Sequence, residues 1–383
     1  MDFSFSEEQR LIRRTARDFA NNELVPRAAE HDRTAAFTAE QVRRLGELGF
    51  LGMQVPEEYG GAGLDTISYV LAMEEVSRGD AATSVSMTVQ NSLVNWPLTK
   101  FGTEEQKRRY LPRLASGEIL GCFALTEPVA GSDPAGMSTI ATEDGDAYIL
   151  NGAKIFISNG GVAEVALVWA QTNPALRHKG VTCFILDRDM AGFEVGAEEH
   201  KMGIRGSNTV ELYFKQCRVP KSRILGAVGE GFKVAMMTLD GGRIGIAAQA
   251  VGIAQAALEE ARKYAHQRKA FGRPLAELDV IQAKIADMAM EVNASRLLTV
   301  YAAWAKDQGH RYSWQAAMAK LHASETATRV AHQAVQIHGG YGYLQDFPVE
   351  RLYRDARITE IYEGTSEIQR QVIAHHVLRP PRS

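Results

Sequence analysis

Tyr148–Ile149–Leu150–Asn151–Gly152–Ala153–Lys154–Ile155–Phe156–Ile157 lies near the middle of the chain. β-Branched and aromatic residues flank an Asn–Gly pair, the dipeptide that favours a tight hairpin turn. The stretch therefore reads as two strands turning at Asn151–Gly152, in a chain that is helical on either side. Val165–Trp169, Val181–Leu186 and Val210–Phe214 are further short runs of this kind, separated by Gly, Asn and Asp. Val210, Leu212 and Phe214 alternate with Glu211, Tyr213 and Lys215, as a half-buried strand requires. A β domain is expected over residues 120–230.

Before it, residues 1–119 carry a helical period. Ser6/Gln9, Thr38/Gln41 and Thr103/Gln106 match the capping box, in which a hydroxyl and an amide satisfy orphan backbone donors. Ile12, Thr15 and Phe19, then Val42, Leu45 and Leu48, then Tyr110, Leu111 and Leu114 follow at helical spacing. Pro56–Gly63 reads as a loop, and lacks the strand and third glycine of a dinucleotide fingerprint. After the β domain, residues 231–383 return to long apolar stripes. Ile244, Ala248, Val251, Leu258 and Ala265 mark one, and Leu278, Ile281, Ile285, Met288 and Val292 another. Helices, strands, helices make an α+β chain.

The 383 residues are 45% hydrophobic and 23% charged, enough for a substantial core. A net charge of −3 offers no basic surplus for phosphates and argues against nucleic acid. Cys122, Cys183 and Cys217 are too few and too scattered for a disulfide framework or a cysteine zinc site, and fit a reducing compartment. The start of the chain lacks the basic and apolar regions of a secretory signal, and no apolar run is long enough for a bilayer. A cytoplasmic protein is expected, or a mitochondrial-matrix one in a eukaryote. The histidines show no metal-binding spacing, so no metal is expected.

Near the C-terminus stands Ile361–Tyr362–Glu363–Gly364–Thr365–Ser366–Glu367–Ile368–Gln369–Arg370. A carboxylate at a loop–helix junction, followed by small residues, can be desolvated into a general base. Taken alone, Glu363 is equally a solvated residue favoured by the helix dipole. Its company decides: Phe123–Ala124–Leu125–Thr126–Glu127–Pro128, Lys154–Ile155–Phe156–Ile157–Ser158, Lys201–Met202–Gly203–Ile204–Arg205–Gly206, Gln336–Ile337–His338–Gly339–Gly340 and Tyr353–Arg354–Asp355–Ala356–Arg357.

In this order, across essentially the whole chain, these strings resemble the acyl-CoA dehydrogenase family, most closely its short-chain (butyryl-CoA) and short branched-chain members. The resemblance implies an N-terminal helical domain, a central β domain and a C-terminal four-helix bundle. It implies FAD as cofactor, an acyl-CoA substrate oxidised to the trans-2-enoyl thioester, electron-transfer flavoprotein as acceptor, and a homotetramer with FAD at subunit interfaces. Glu363 would take the α-proton while a hydride leaves the β-carbon. Some relatives carry the base on the helix after the β domain; that position is Gly242 here and is vacant.

By the same resemblance the flavin bed comprises Phe123, Leu125, Thr126 and Ser132 with Phe156, Ile157 and Ser158. Arg268, Phe271, Gln336, Gly339, Gly340, Thr365 and Glu367 would hold the rest of the cofactor, and Ser132, Asp240, Arg243 and Gly364 the substrate. Each has a plainer reading: strand capping for Thr126, a turn for Ser158, a solvated charge for Arg268, a helix cap for Gly339–Gly340, an ion pair with Asp240 for Arg243. The chain departs from the commonest pattern in having Phe156 for Trp, Ser158 for Thr and Asp279 for Gln. A flavin-bearing binding or assembly protein without turnover, and a flavin oxidase on an unusual substrate, are the alternatives.

Overall fold

The structure, a computed structural model, describes residues 4–378. Seven helices come first: α1 Glu7–Phe19, α2 Ala28–Thr34, α3 Ala39–Glu47, α4 Thr66–Gly79, α5 Ala81–Thr88, α6 Trp96–Phe101 and α7 Glu104–Ser116. Eight strands follow: β1 Gly121–Ala124, β2 Ile140–Asp144, β3 Ala147–Ser158, β4 Val165–Gln171, β5 Val181–Asp187, β6 Phe193–Glu198, β7 Thr209–Pro220 and β8 Ile224–Leu225. Then come α8 Gly231–Gln267, a small hairpin of β9 Lys269–Ala270 and β10 Arg273–Pro274, α9 Asp279–Asp307, α10 Ser313–His338, α11 Pro348–Ile358 and α12 Ser366–Val377.

Local signals account for several boundaries. The capping boxes at Ser6/Gln9 and Thr103/Gln106 form as expected. Thr38 does precede α3, but its side chain makes no cap hydrogen bond and its hydroxyl is buried without a partner among the described residues, so the third box is absent. Asp279 opens α9, where a carboxylate suits the helix dipole.

The sheet runs β6-β7-β3-β2-β4-β5-β8, with β1 parallel to β4. Asn151–Gly152 is not the hairpin turn that its dipeptide predicts. It lies inside β3, a 12-residue strand, at a register shift against β7. Asn151 Oδ1 accepts hydrogen bonds from Gln216 N at 2.8 Å and Gln216 Nε2 at 3.0 Å, and so satisfies the bulge. The turn is at Gly145, φ +59°, between paired Asp144 and Ala147. β3 pairs with β2 on one side and β7 on the other, and this ladder outweighs the local turn preference.

Alternation along β4 divides the interior. Val165, Leu167 and Trp169 join the core shared with the helices, whereas Ala166, Val168 and Ala170 join a second core with Leu150, Phe184 and Phe214. Trp169 Nε1 donates to Gly231 O at 2.7 Å and ties the sheet to the start of α8, which runs 37 residues against α4, α9 and α10. One joint links all three segments. Arg354 on α11 pairs with Asp32 at 2.6 Å and donates to Met202 O at 3.0 Å, while the buried Asp355 accepts from Ile204 N.

Candidate active site

Glu363 sits in the loop between α11 and α12, in the left-handed region at φ +52°, followed by Gly364 at φ +95°. Such a conformation costs a non-glycine residue about 1–3 kcal/mol and persists only where its surroundings enforce it. The enforcement is visible. Thr365 caps α12 by accepting from Ile368 N, and Tyr362 Oη donates to Gln249 Oε1. Gln369 Nε2 donates to Gly364 O at 2.8 Å and Glu363 O at 3.3 Å, and Lys320 Nζ donates to Gly364 O at 2.7 Å.

The Glu363 carboxylate packs against α8 where the helix has no side chain. A Cβ on Gly242 would lie 1.9 Å from Glu363 Oε2. That oxygen is buried with no hydrogen-bond partner among the described residues. Burial pushes the carboxyl up to about 7, against the opposing pull of Lys320 and Arg243. The same burial pushes Lys320 down to about 7, against the attraction of Glu363. The direction is common to both: each group is driven toward its neutral form.

Glu363 and Gly364 face a cavity of about 190 Å³, also lined by Phe123, Leu125, Thr126, Ser132, Phe156, Ile157, Ser158 and Arg243. The structure thus brings together residues from β1, the loop after it, β3, α8 and the α11–α12 loop. Val85, Thr88, Val89 and Leu93 close another side. Val89 and Leu93 belong to a π-helical segment, Val89–Asn95, whose wider turn is a recurrent device at functional sites. Arg243 is buried and paired with Asp240 at 2.7 Å, and Asp240 accepts in turn from Ser313. The ion-pair reading of Arg243 and its place on the cavity are both correct. Arg243 Nε has no hydrogen-bond partner among the described residues.

The β-side wall rests on a fully buried ion pair. Lys154 Nζ meets Glu127 Oε1 at 2.8 Å and donates to Leu125 O at 3.1 Å. Glu127 also accepts from Ser138 and Thr139, and burial alone would raise its carboxyl, yet Lys154 and these donors hold it at about 2. Ile155 N donates to Thr126 O at 3.0 Å. Beyond Lys154 the register of β3 shifts, and Phe156 at φ +61° turns outward, 61% exposed. An exposed aromatic face, the adjacent Thr126 and Ser158, and two buried polar atoms left unpaired fit a flat ring with hydrogen-bonding edges.

Other nominated residues lie elsewhere. Arg268, Gly339 and Gly340 line a separate cavity of about 440 Å³ with Tyr264, His338 and Tyr341, where the Arg268 guanidinium sits 5.6 Å over the Tyr341 ring. Gln336 is exposed on the last turn of α10, and Phe271 is 93% exposed at the tip of the β9–β10 hairpin. Thr365 and Glu367 stand at the start of α12, behind the Glu363 loop. A single chain does not bring these to the Glu363 cavity. A larger cleft of about 670 Å³ is lined by mixed charges such as Arg33, Arg78, Glu259 and Arg351. Converging polar groups on apolar walls, rather than size, distinguish the Glu363 cavity from this cleft.

Sequence reasoning overlooked Lys320, Gln369, and the Lys154–Glu127 pair. Lys320 carried a signal: it sits between Ala316 and Ala323 at helical spacing, on a face where every neighbour is small and buried.

The chain matches the acyl-CoA dehydrogenase N-terminal domain over residues 6–118, the middle domain over 122–217 and the C-terminal domain over 229–378. It is 54% identical over 377 residues to human short-chain specific acyl-CoA dehydrogenase, mitochondrial, covering 98% of this chain and 92% of that protein. Among solved structures it resembles butyryl-CoA dehydrogenase from Megasphaera elsdenii, with TM-score 0.97, 46% identity and coverage of 99% and 100%. It also resembles a chain from a structure of the electron transferring flavoprotein of Acidaminococcus fermentans, with TM-score 0.98, 48% identity and the same coverage. No helix of the described residues is long and apolar enough to cross a membrane. The chain belongs to the acyl-CoA dehydrogenase family, flavin-dependent oxidoreductases that act on CH–CH groups.

Proposed function

We propose that this protein oxidises a short-chain acyl-CoA to its trans-2-enoyl thioester, with Glu363 as the base. The observation that carries the reading is the Glu363 carboxylate itself: buried, unpaired at Oε2, and facing the cavity that also holds Phe156, Thr126 and Arg243. FAD, when bound, supplies the hydride acceptor that no side chain offers. Thr126, Phe156 and Ser158 would hold its ring, and Arg268, Gly339 and Gly340 on the other cavity, with the exposed Phe271 and Gln336, would serve the remainder.

Glu363 removes the α-proton. Its proton affinity suits the task, because a base near neutrality is both ionised and strong enough. The backbone N–H of Glu363 polarises the thioester carbonyl, an oxyanion-type contact worth about 3 kcal/mol. Val85, Val89 and Leu93 enclose the acyl end and exclude water. Separation of the two cavities within one chain supports subunits that share each cofactor, and the assembly we propose is a homotetramer. Similarity to a chain of the Acidaminococcus structure supports an electron-transfer flavoprotein as acceptor. Three buried free thiols fit a cytoplasmic setting. We divide the chain into the units 1–119, 120–230 and 231–383.

Anaerobic titration with a panel of acyl-CoAs, following the flavin spectrum, tests this. Butyryl-CoA should bleach the wild-type protein. Glu363→Gln should bind flavin and ligand normally and lose bleaching. Normal bleaching by Glu363→Gln refutes the base, and a yellow wild-type protein that binds every acyl-CoA unbleached refutes the reaction.

A further inference from the structure

Lys320 is a buried lysine under the active-site loop, with no exposed surface. It projects from α10 among Ala316, Ala319 and Ala323, so nothing on its own helix calls for a charge there. Its Nζ reaches the Gly364 carbonyl at 2.7 Å, the carbonyl that Gln369 Nε2 also holds at 2.8 Å. These two donors grip the peptide that follows Glu363, where both residues are left-handed. Moving that peptide would swing the Glu363 carboxylate away from Gly242 and the cavity.

We infer that Lys320 is a positioning residue for the reaction: it fixes the Glu363–Gly364 peptide so that the carboxylate faces the cavity. The inference rests on Glu363 being the base. Two features separate this role from ordinary packing. Burying an ammonium is costly, and an apolar residue of similar volume would serve stability as well or better. The groups that face Glu363 from every packed element are also few and known. They are Lys320 on α10, Arg243 with its partner Asp240 on α8, Tyr362 on the loop and Tyr69 on α4. Lys320 in turn faces Glu363, Glu360, Glu367 and Arg243. Arg243 already has Asp240 at 2.7 Å, which leaves Lys320 as the other basic group acting on Glu363.

Lys320→Met and Lys320→Arg test the role in the flavin-loaded enzyme. The readouts are the pH dependence of anaerobic reduction by butyryl-CoA and, independently of turnover, the protonated-carboxyl infrared band that Glu363→Gln removes. Lys320→Met should raise the midpoint of both by about one unit or more, the effect of losing one nearby opposite charge. At neutral pH it should also slow reduction at least tenfold, with KM little changed. Lys320→Arg keeps the charge and should leave the midpoint at or below that of the wild type. Gln369→Leu removes a neutral donor from the same carbonyl, and should slow reduction without moving either midpoint.

Unchanged midpoint and rate in Lys320→Met overturn the inference. So does an upward midpoint in Lys320→Arg, which decides the matter if the Met variant does not fold. Failure of the underlying reading looks different: Glu363→Gln would then be reduced by substrate whatever the Lys320 variants do.

Discussion

Gly242→Ala adds one methyl group to α8 and tests how closely Glu363, the proposed base, is fitted. That carbon would lie 1.9 Å from Glu363 Oε2, 2.9 Å from its Cδ and 3.1 Å from Leu93 Cδ2. Non-bonded contacts settle near about 3.5–4.0 Å, so the carboxylate must retreat by roughly 1.5 Å. Displacement of a reacting group by about 1 Å costs about 100-fold in rate. We therefore expect flavin reduction by butyryl-CoA to slow at least that much. Stability should move far less. Overpacking costs about 1–3 kcal/mol, and alanine in a helix interior returns about 0.5–1 kcal/mol relative to glycine. Anaerobic stopped-flow gives the first quantity and a urea transition the second. A reduction rate within twofold of the wild type would refute the close approach of α8 to the base. So would an equal loss in both quantities, which would mean the methyl had disrupted the fold rather than the carboxylate.

Lys154→Met leaves Glu127 charged and buried, and should cost about 3–5 kcal/mol in a urea transition. Because Glu127 is held near 2, well below the ordinary carboxylate value, its stabilisation is fully present above pH about 4.5 and fades as pH falls toward 2. The acid loss should therefore be shallower in the variant; an identical acid limb would argue against the pair. Phe271→Ala removes a side chain that is 93% exposed, so the thermal midpoint of the isolated chain should not change. Flavin retention on dilution should fall if the hairpin tip serves a cofactor, and unchanged retention removes Phe271 from the flavin set.

Strands and capping boxes were legible where one physical preference acts alone. Val210, Leu212 and Phe214 alternate because one face of β7 is buried. Asn151–Gly152 failed because a local turn preference competes with two neighbouring strands, and pairing across the chain leaves no mark in a dipeptide. Thr38 failed likewise, as a helix start whose hydroxyl is buried away from its own backbone. Motif order did nominate the cavity residues Thr126, Phe156, Arg243 and Glu363, although they lie on different elements. It also grouped Arg268, Phe271 and Gly339 with them, because resemblance gathers residues without regard to distance. Lys320 escaped because a lysine on a helix reads as solvated unless its small neighbours are read as a buried face.

The joint at Arg354 and Asp355 bears on how this protein can change. It fastens the first helices, the sheet and the C-terminal helices at one point, just upstream of Glu363. Modularity is therefore low. A graft that exchanged any one segment for that of a distant relative would have to carry Asp32, the Met202–Ile204 turn and Arg354–Asp355 as a matched set. The π-helical segment that lines the cavity lies outside that fastening and is free to vary without it.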